Sequence, residues 1–243
     1  FHSSAVTAQS LERMALELQL RNAMERQEFA LHYQAKVDLN NNRITGVEAL
    51  LRWNNAELGC VGPARFVPVA EQCGLIVPIG KWVLQQACAQ NVAWRRQGFA
   101  PIGVSVNLSV RQLMHDGLLD DIDEALRSAG MDPTLLELEI TEGLVMHDIE
   151  RMAQLLHAIK RMGVRIAIDD FGTGYSSLAH LKRFPVDVIK IDRSFVQDIA
   201  TDPADRSITE AIVAMGRTLN LRVVAEGVET AEQRDVLRDI ACY

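Results

Sequence analysis

Short segments in which apolar and polar residues alternate recur along this chain, and each is followed by a segment with helical periodicity. The clearest helical segment places Met152, Leu156 and Ile159 on one face, and Gly163 follows it directly before a strand-like segment that starts at Val164. A regular alternation of strands and helices predicts an α/β fold with a mainly parallel sheet.

Seven segments have the pattern of strands. They are Ala30 to Leu39, Ile44 to Trp53, Gly103 to Ser109, Leu135 to Glu142, Val164 to Asp170, Val186 to Asp192 and Leu221 to Glu229. A further helix is predicted from Arg206 to Leu219. Seven strands fit an open doubly wound sheet or a β/α barrel, and 243 residues suit one barrel or two ordinary domains. The Gly-rich phosphate-binding turn typical of doubly wound sheets is absent from the sequence, which favours the barrel.

Charge and cysteine content exclude some classes of function. The formal net charge is −7 and the pI is near 5.4, which argues against binding of polymeric nucleic acid. The four cysteines form no C-x-x-C pair, so we expect neither a zinc knuckle nor a disulfide framework. We therefore expect a cytoplasmic location. The apolar runs are all shorter than the ~18 residues that a membrane span needs.

Polar residues interrupt the predicted strands at or near their ends. They are Glu48, Asn107, Glu139, Asp169, Asp170, Lys190 and Glu226. From Asn107 through Glu139, Asp169 and Lys190 to Glu226, the successive intervals are 32, 30, 21 and 36 residues. Each interval matches about one β/α unit, so these residues are predicted to meet at one end of a barrel.

Five carboxylates at one mouth would repel each other unless cations lay between them. Their oxygens suit Mg²⁺ or Mn²⁺, and two such ions together with Lys190 would balance the negative charge. One acidic residue at a strand end is more often a helix cap or a solvated charge, but convergence of the set favours a metal site. In a regular strand Asp169 and Asp170 would point to opposite faces, so we expect Asp170 to lie where the strand turns into the loop containing Gly172.

Ordered motifs along nearly the whole chain resemble the EAL-domain family, whose members linearise cyclic di-GMP. The motifs are Tyr33-Gln34, Val37-Asp38-Leu39, Glu48-Ala49-Leu50-Leu51-Arg52-Trp53, Phe66-Val67-Pro68, Val106-Asn107-Leu108-Ser109, Glu139-Ile140-Thr141-Glu142, Asp169-Asp170-Phe171-Gly172-Thr173-Gly174-Tyr175-Ser176, Lys190-Ile191-Asp192 and Ala225-Glu226-Gly227-Val228-Glu229. The Glu-Ala-Leu motif alone is weakly specific, whereas the ordered set is highly specific. Ala35 departs from the family's usual proline, a change that we expect to be mild.

The resemblance implies a TIM-type (β/α)₈ barrel, an α/β fold here modified by an antiparallel first strand. It also implies a last strand that the sequence up to Tyr243 does not contain. Residues 26–243 would form this phosphodiesterase barrel, C-terminally incomplete, and residues 1–25 resemble the connector helix that joins a GGDEF domain to an EAL domain. The parent protein would then carry an adjoining GGDEF or sensor domain, which could anchor it to a membrane.

The resemblance also implies roles for individual residues. Glu48, Asn107, Glu139 and Asp169 match ligands of a first Mg²⁺ or Mn²⁺, and Asp169, Asp170 and Glu226 match ligands of a second. Lys190 matches a residue that contacts the attacking water or the phosphate, and Glu226 matches a proposed general base. These two assignments compete, and the sequence leaves open which residue is the base, so Lys190, Glu226 and Glu48 are the catalytic candidates. The substrate groove would be formed by Gln34, Leu51, Arg52, Pro68, Asp192 and Glu229. Glu142 would stabilise the Asp170 to Ser176 loop, which takes part in dimer contacts in the family and so implies a homodimer.

The function implied is metal-dependent hydrolysis of cyclic di-GMP to linear pGpG in bacterial signalling. One alternative is an inactive cyclic di-GMP receptor, but such receptors generally lack a metal ligand, and every ligand position covered here is filled. A second alternative is an unrelated metal-dependent barrel enzyme, which the ordered motifs disfavour. The His115-Asp116 and His147-Asp148 pairs are better interpreted as helix caps than as a helical His/Asp metal site.

Overall fold

The computed structural model describes residues 2–143, 148–174, 181, 183–240 and 242, with side chains described from residue 13 onward. The strands within these residues are β1 (Phe29–Val37), β2 (Ile44–Asn55), β3 (Gly59–Val61), β4 (Gly103–Asn107), β5 (Leu136–Thr141), β6 (Arg165–Phe171), β7 (Val188–Ile191) and β8 (Arg222–Ala225). The helices are α1 (His2–Ala23), α2 (Pro63–Cys73), α3 (Ile76–Arg96), α4 (Val110–Leu113), α5 (Leu118–Ala129), α6 (Ile149–Arg161), α7 (Arg193–Gln197), α8 (Pro203–Thr218) and α9 (Ala231–Asp239), and a 3₁₀ turn covers Pro133–Leu135.

One sheet contains all of these strands in the order β1-β2-β4-β5-β6-β7-β8, with β3 paired to β2 as a short hairpin. β1 runs antiparallel to β2, whereas β2, β4, β5, β6, β7 and β8 are parallel neighbours. This arrangement confirms the predicted α/β class and the antiparallel first strand. Among the described residues, no ladder joins the two outer strands, β1 and β8.

The sheet curls so that its ends face each other. Lys190 on β7 lies 3.3 Å from Glu48 on β2, although β4, β5 and β6 separate these strands in the sheet. Leu136, Leu138 and Ile140 on β5 are fully buried, and the alternate residues of this strand face the opposite side. The polar residues of β5 therefore face the interior of the curled sheet.

The seven predicted strands are all present, and the predicted and observed bounds differ mainly at the ends of the strands. The predicted strand from Leu221 ends at Ala225, so Glu226 lies directly after β8. The predicted helix from Arg206 starts earlier, at Pro203, where Asp202 caps it. The three-residue strand β3 was not predicted, because its sequence is too short to display an alternation.

The regular strand conformation breaks at Asp170, as the adjacent aspartates predicted, although β6 extends one residue beyond it. The strand continues to Phe171, but its register with β7 shifts between Ile168 and Phe171, and Asp170 has a φ of 53°. A left-handed residue inside a strand produces a local bulge, which a regular alternation of faces does not include.

Helix α1 is attached to the sheet domain through its last turns, where Leu16, Leu20 and Ala23 are buried in the common core. The division into a connector of residues 1–25 and a barrel of 26–243 stays a prediction. No helix within the described part of the chain is long and apolar enough to cross a membrane.

Candidate functional site

Lys190 is the centre of the predicted cluster. Its side chain is only 2% exposed, and its Nζ lies 2.5 Å from Glu226, 2.6 Å from Glu139, 3.1 Å from Asp169 and 3.3 Å from Glu48. These residues come from β2, β5, β6, β7 and the end of β8. The structure thus brings together side chains that are up to 178 positions apart in the sequence, from Glu48 to Glu226.

Asn107 and Asp170 complete the predicted set. Asn107, at the end of β4, donates a hydrogen bond from Nδ2 to Glu48 Oε1 at 2.8 Å. Asp170 joins Asp169 and Glu226 in a group whose carboxylate oxygens lie within 4.8 Å of one another. The bulge at Asp170 explains how two adjacent aspartates serve one cluster.

The electrostatics of the cluster differ between the lysine and the carboxyl groups. Burial lowers the pKa of Lys190, but the carboxylates of Glu139, Asp169, Glu48 and Glu226 raise it further, so that it lies above its usual value. Lys190 is therefore an ammonium at neutral pH.

For Glu226, burial and the neighbouring carboxylates outweigh the attraction of Lys190. Burial, together with repulsion from Asp169 and Glu48, raises the pKa of Glu226 to about 7, although Lys190 lowers it. Burial and the carboxylates of Asp169 and Asp192 also raise the pKa of Asp170. Both shifts indicate carboxylates that lack sufficient positive charge nearby.

The donor set fits a divalent cation. Four carboxylates lie within 3.3 Å of the Lys190 Nζ and Asp170 adds a fifth, whereas Lys190 and Lys36 are the cations among the described residues in contact with this set, so negative charge exceeds positive charge. Every offered ligand atom is an oxygen, the type that Mg²⁺ and Mn²⁺ prefer. The group of Asp169, Asp170 and Glu226 could hold such an ion.

A cavity of about 980 Å³ opens beside the cluster, between β1 and the segment that follows β8. Glu48, Asp169, Lys190 and Glu226 line it. Two of the predicted groove residues, Gln34 and Glu229, also line it.

The other four groove candidates, Leu51, Arg52, Pro68 and Asp192, are outside the described lining of this cavity. Asp192 caps α7 by accepting the Ser194 N–H at 2.9 Å, and Pro68 lies inside α2. Arg52 donates to the carbonyl oxygen of Leu51 at 2.9 Å.

Sequence reasoning missed a second charged layer below the carboxylates. Lys36 on β1 donates from Nζ to Ser105 Oγ at 2.6 Å, Glu139 Oε1 at 2.7 Å and Glu137 Oε1 at 2.8 Å. Burial lowers the pKa of Lys36, but Glu139 and Glu137 raise it to a net higher value. The signal for this layer was the period of two: Glu137 and Glu139 share a face of β5, and so do Ser105 and Asn107 of β4.

Two smaller expectations concern the loops. Glu142 accepts a hydrogen bond on Oε2 from the Gly172 N–H at 2.8 Å, which links the segment after β5 to the segment after β6. Asp148 caps α6 by accepting the Arg151 N–H at 3.3 Å, as predicted. The same prediction is wrong for Asp116, because α5 is capped at Gly117 without a side-chain hydrogen bond, and Asp116 lies 3.4 Å from Arg151 Nη2 instead. His147 lies outside the described residues.

Comparison with known proteins gives one family. Residues 17–243 match the model of the EAL domain. The bifunctional diguanylate cyclase/cyclic di-GMP phosphodiesterase MucR of Pseudomonas aeruginosa is 47% identical over 242 residues, covering 100% of this chain and 35% of MucR. The cyclic di-GMP phosphodiesterase NbdA of the same organism is 40% identical over 242 residues, covering 100% of this chain and 31% of NbdA. The chain therefore spans about a third of the length of these relatives.

A solved structure has the same fold. The PaMucR phosphodiesterase in complex with c-di-GMP is 48% identical and superposes with a TM-score of 0.90, covering 94% of this chain and 92% of that one. The match joins the ordered motifs, the curled sheet and the carboxylate cluster in a single assignment: this chain belongs to the EAL-domain family.

Proposed function

We propose that this chain is the hydrolytic domain of a cyclic di-GMP phosphodiesterase, which uses Mg²⁺ or Mn²⁺ and releases linear pGpG. The observation that carries the proposal is the buried Lys190 ammonium within 3.3 Å of four carboxylates, beside the Asp169, Asp170 and Glu226 group. The names of MucR and NbdA support the same reaction.

The proposal includes two cation positions, and it is the second, Asp169 with Asp170 and Glu226, whose carboxylate oxygens lie within 4.8 Å of one another. Glu48, Asn107, Glu139 and Asp169 would hold the first ion, and Asp169, Asp170 and Glu226 would hold the second. Bound divalent cations would supply Lewis-acid stabilisation of the charge that develops on the phosphodiester. Asp169 is assigned to both sets because its carboxylate lies 3.1 Å from the Lys190 Nζ and within 4.8 Å of the Asp170 and Glu226 oxygens.

Charge and position distinguish the roles that we assign to Lys190 and Glu226. Lys190 stays positively charged, so it is suited to stabilise negative charge on the phosphate and not to accept a proton. Glu226 lies 2.5 Å from the Lys190 Nζ and lines the cavity, so its carboxylate is placed to take a proton from an attacking water. Its pKa of about 7 belongs to the metal-free site, and bound cations would lower it. We therefore assign the general base to Glu226 and the electrostatic role to Lys190, while Glu48 positions both Asn107 and Lys190.

The cavity suggests where the nucleotide lies. Gln34 and Glu229 line it together with the carboxylates, so the dinucleotide would extend from the cluster along β1 and the segment after β8. Arg52, Leu51, Pro68 and Asp192 would contact more distant parts of the substrate. The same proposal includes assembly as a homodimer, a cytoplasmic location, and an adjoining GGDEF or sensor domain joined through residues 1–25. It also assigns Glu142 as the residue that stabilises the Asp170 to Ser176 loop.

The experiment is chromatographic separation of nucleotides after incubation of the protein with cyclic di-GMP and Mn²⁺. We expect pGpG from the wild-type protein and at least a hundredfold less from Glu139→Gln, since loss of a metal ligand removes charge stabilisation that exists only in the assembled site. Lys81→Met, which changes an exposed ion pair with Asp121 and Glu124, is the matched control and should react like the wild-type protein.

A receptor without catalysis is the alternative function. It predicts tight binding of cyclic di-GMP with no pGpG, and an affinity that chelation of divalent cations does not change. Conversion to pGpG by the wild-type protein rejects it.

A further inference from the structure

Lys36 lies beneath the carboxylate cluster, on β1, the strand that runs antiparallel to β2. Its side chain is 16% exposed, and its ammonium has three acceptors within 2.8 Å, which are Ser105, Glu137 and Glu139. An ammonium has three N–H donors, so each has a partner. The geometry around this nitrogen is therefore fully determined.

Glu139 is held from two sides. Its Oε1 accepts from Lys36 at 2.7 Å and its Oε2 accepts from Lys190 at 2.6 Å, and its side chain has no exposed area. Lys190 belongs to the upper cluster with Asp169 and Glu226, whereas Lys36 belongs to the lower layer with Glu137. One carboxylate thus connects the two layers.

We propose that Lys36 is a positioning residue, which holds Oε1 of Glu139 so that Oε2 faces the place where a divalent cation would bind. This inference rests on the proposed function, because it concerns the same site. Side chains that orient metal ligands commonly change metal affinity or activity by about 10-fold to 100-fold when they are removed. Lys36 and Lys190 bind different oxygens of Glu139, so Lys36 would act on the cation position through this carboxylate.

A direct test must avoid an unpaired charge in the interior. Removing Lys36 alone would leave Glu137 and Glu139 without their shared ammonium, and an uncompensated buried charge can prevent folding. The double variant Lys36→Met with Glu137→Gln removes one positive and one negative charge together. Glu137→Gln alone is the matched control, because Lys36 still reaches Glu139 in it.

The measurement is Mn²⁺ binding without substrate, followed by the spectroscopic signal of free Mn²⁺, with thermal melting as a check on folding. We expect the double variant to bind Mn²⁺ at least about tenfold more weakly than the wild-type protein. The control should remain close to the wild-type affinity. A purely structural role would lower the melting temperature and leave the Mn²⁺ titration unchanged at temperatures where the protein is folded.

Equal Mn²⁺ affinity in the folded double variant and the control would overturn the proposal, and so would a wild-type protein that binds no Mn²⁺. If the double variant does not fold, Lys36→Arg decides, since it keeps the charge but cannot place one nitrogen among the three acceptors, and unchanged affinity there overturns the proposal too. Normal Mn²⁺ binding without formation of pGpG would reject the proposed function, while the comparison between variants would still test Lys36.

Discussion

At the scale of single residues, Glu226 gives the clearest pH dependence. Its pKa of about 7 in the folded protein is above the usual value near 4.5, so the folded state binds more protons than the unfolded state between these values. The stabilising contribution is therefore complete below about pH 4.5 and is lost as the pH rises through 7.

We predict that metal-free wild-type protein loses free energy of unfolding from pH 5 to pH 7.5 relative to Glu226→Gln. The upper limit is about 3 kcal/mol, since one pKa unit corresponds to about 1.4 kcal/mol. Urea unfolding in the presence of a chelator, at several pH values, measures the difference. Parallel pH profiles for the two proteins would show that Glu226 is not the titrating group.

Lys190 makes a second prediction at this scale. Without metal it is the cation that four carboxylates share, so Lys190→Met should destabilise the chelated protein by about 3 kcal/mol or more. Mn²⁺ should restore much of this loss, because divalent cations can replace the missing charge. Melting temperatures with and without Mn²⁺ measure both effects.

Lys81→Met provides the comparison, since Lys81 forms ion pairs on the surface, where such pairs contribute little. Lys81→Met should change the melting temperature little in either condition. A loss in Lys190→Met that is equal with and without Mn²⁺ would mean that Lys190 serves packing and not charge balance.

At the scale of elements, the end of β6 depends on Glu142. Asp170 has a φ of 53° and Gly172 a φ of 100°, so this segment leaves the ordinary strand conformation while it carries a candidate metal ligand. The Glu142 carboxylate accepts the Gly172 N–H, and a Cβ added at Gly174 would lie 2.9 Å from Glu142 Oε1. Gly172 and Gly174 therefore lie close to this carboxylate.

Glu142→Ala should loosen the segment after β6. Hydrogen bonds to charged groups contribute about 1.5–3 kcal/mol, so amide exchange at Gly172 should accelerate about tenfold or more, and turnover of cyclic di-GMP should fall. Hydrogen exchange read at single residues measures the first effect. Glu150→Ala, at an exposed position in the first turn of α6, is the control, and equal exchange rates at Gly172 in the two variants would contradict the prediction.

The strands show what an amino-acid sequence can and cannot predict. The intervals between polar residues were enough to place Glu139, Asp169 and Lys190 at one end of the sheet, because consecutive parallel strands deliver their ends to the same edge. The bulge at Asp170 was not predictable, since it depends on a register shift against β7. Lys36 was missed for a related reason. β2 separates β1 from β4, so Lys36 reaches its partners on β4 and β5 only because the sheet curls.

At the scale of the whole molecule, the curled sheet concentrates charge that the sequence distributes over 179 residues, from Glu48 to Glu226. The fold must hold these carboxylates close together, and Lys36 and Lys190 neutralise only part of their charge. Divalent cations would supply the rest, and the fold and the proposed reaction would then depend on the same ions.

Cleavage of cyclic di-GMP by water, with the help of divalent cations at this cluster, is the reaction that we propose. The most direct measurement is mass spectrometry of pGpG formed in ¹⁸O-labelled water, with Mn²⁺ and with chelator. We predict one ¹⁸O atom in the terminal phosphate of pGpG when Mn²⁺ is present, and no pGpG with chelator. Turnover that persists with chelator, a label in the ribose hydroxyl, or no pGpG at all would contradict metal-dependent hydrolysis at this cluster.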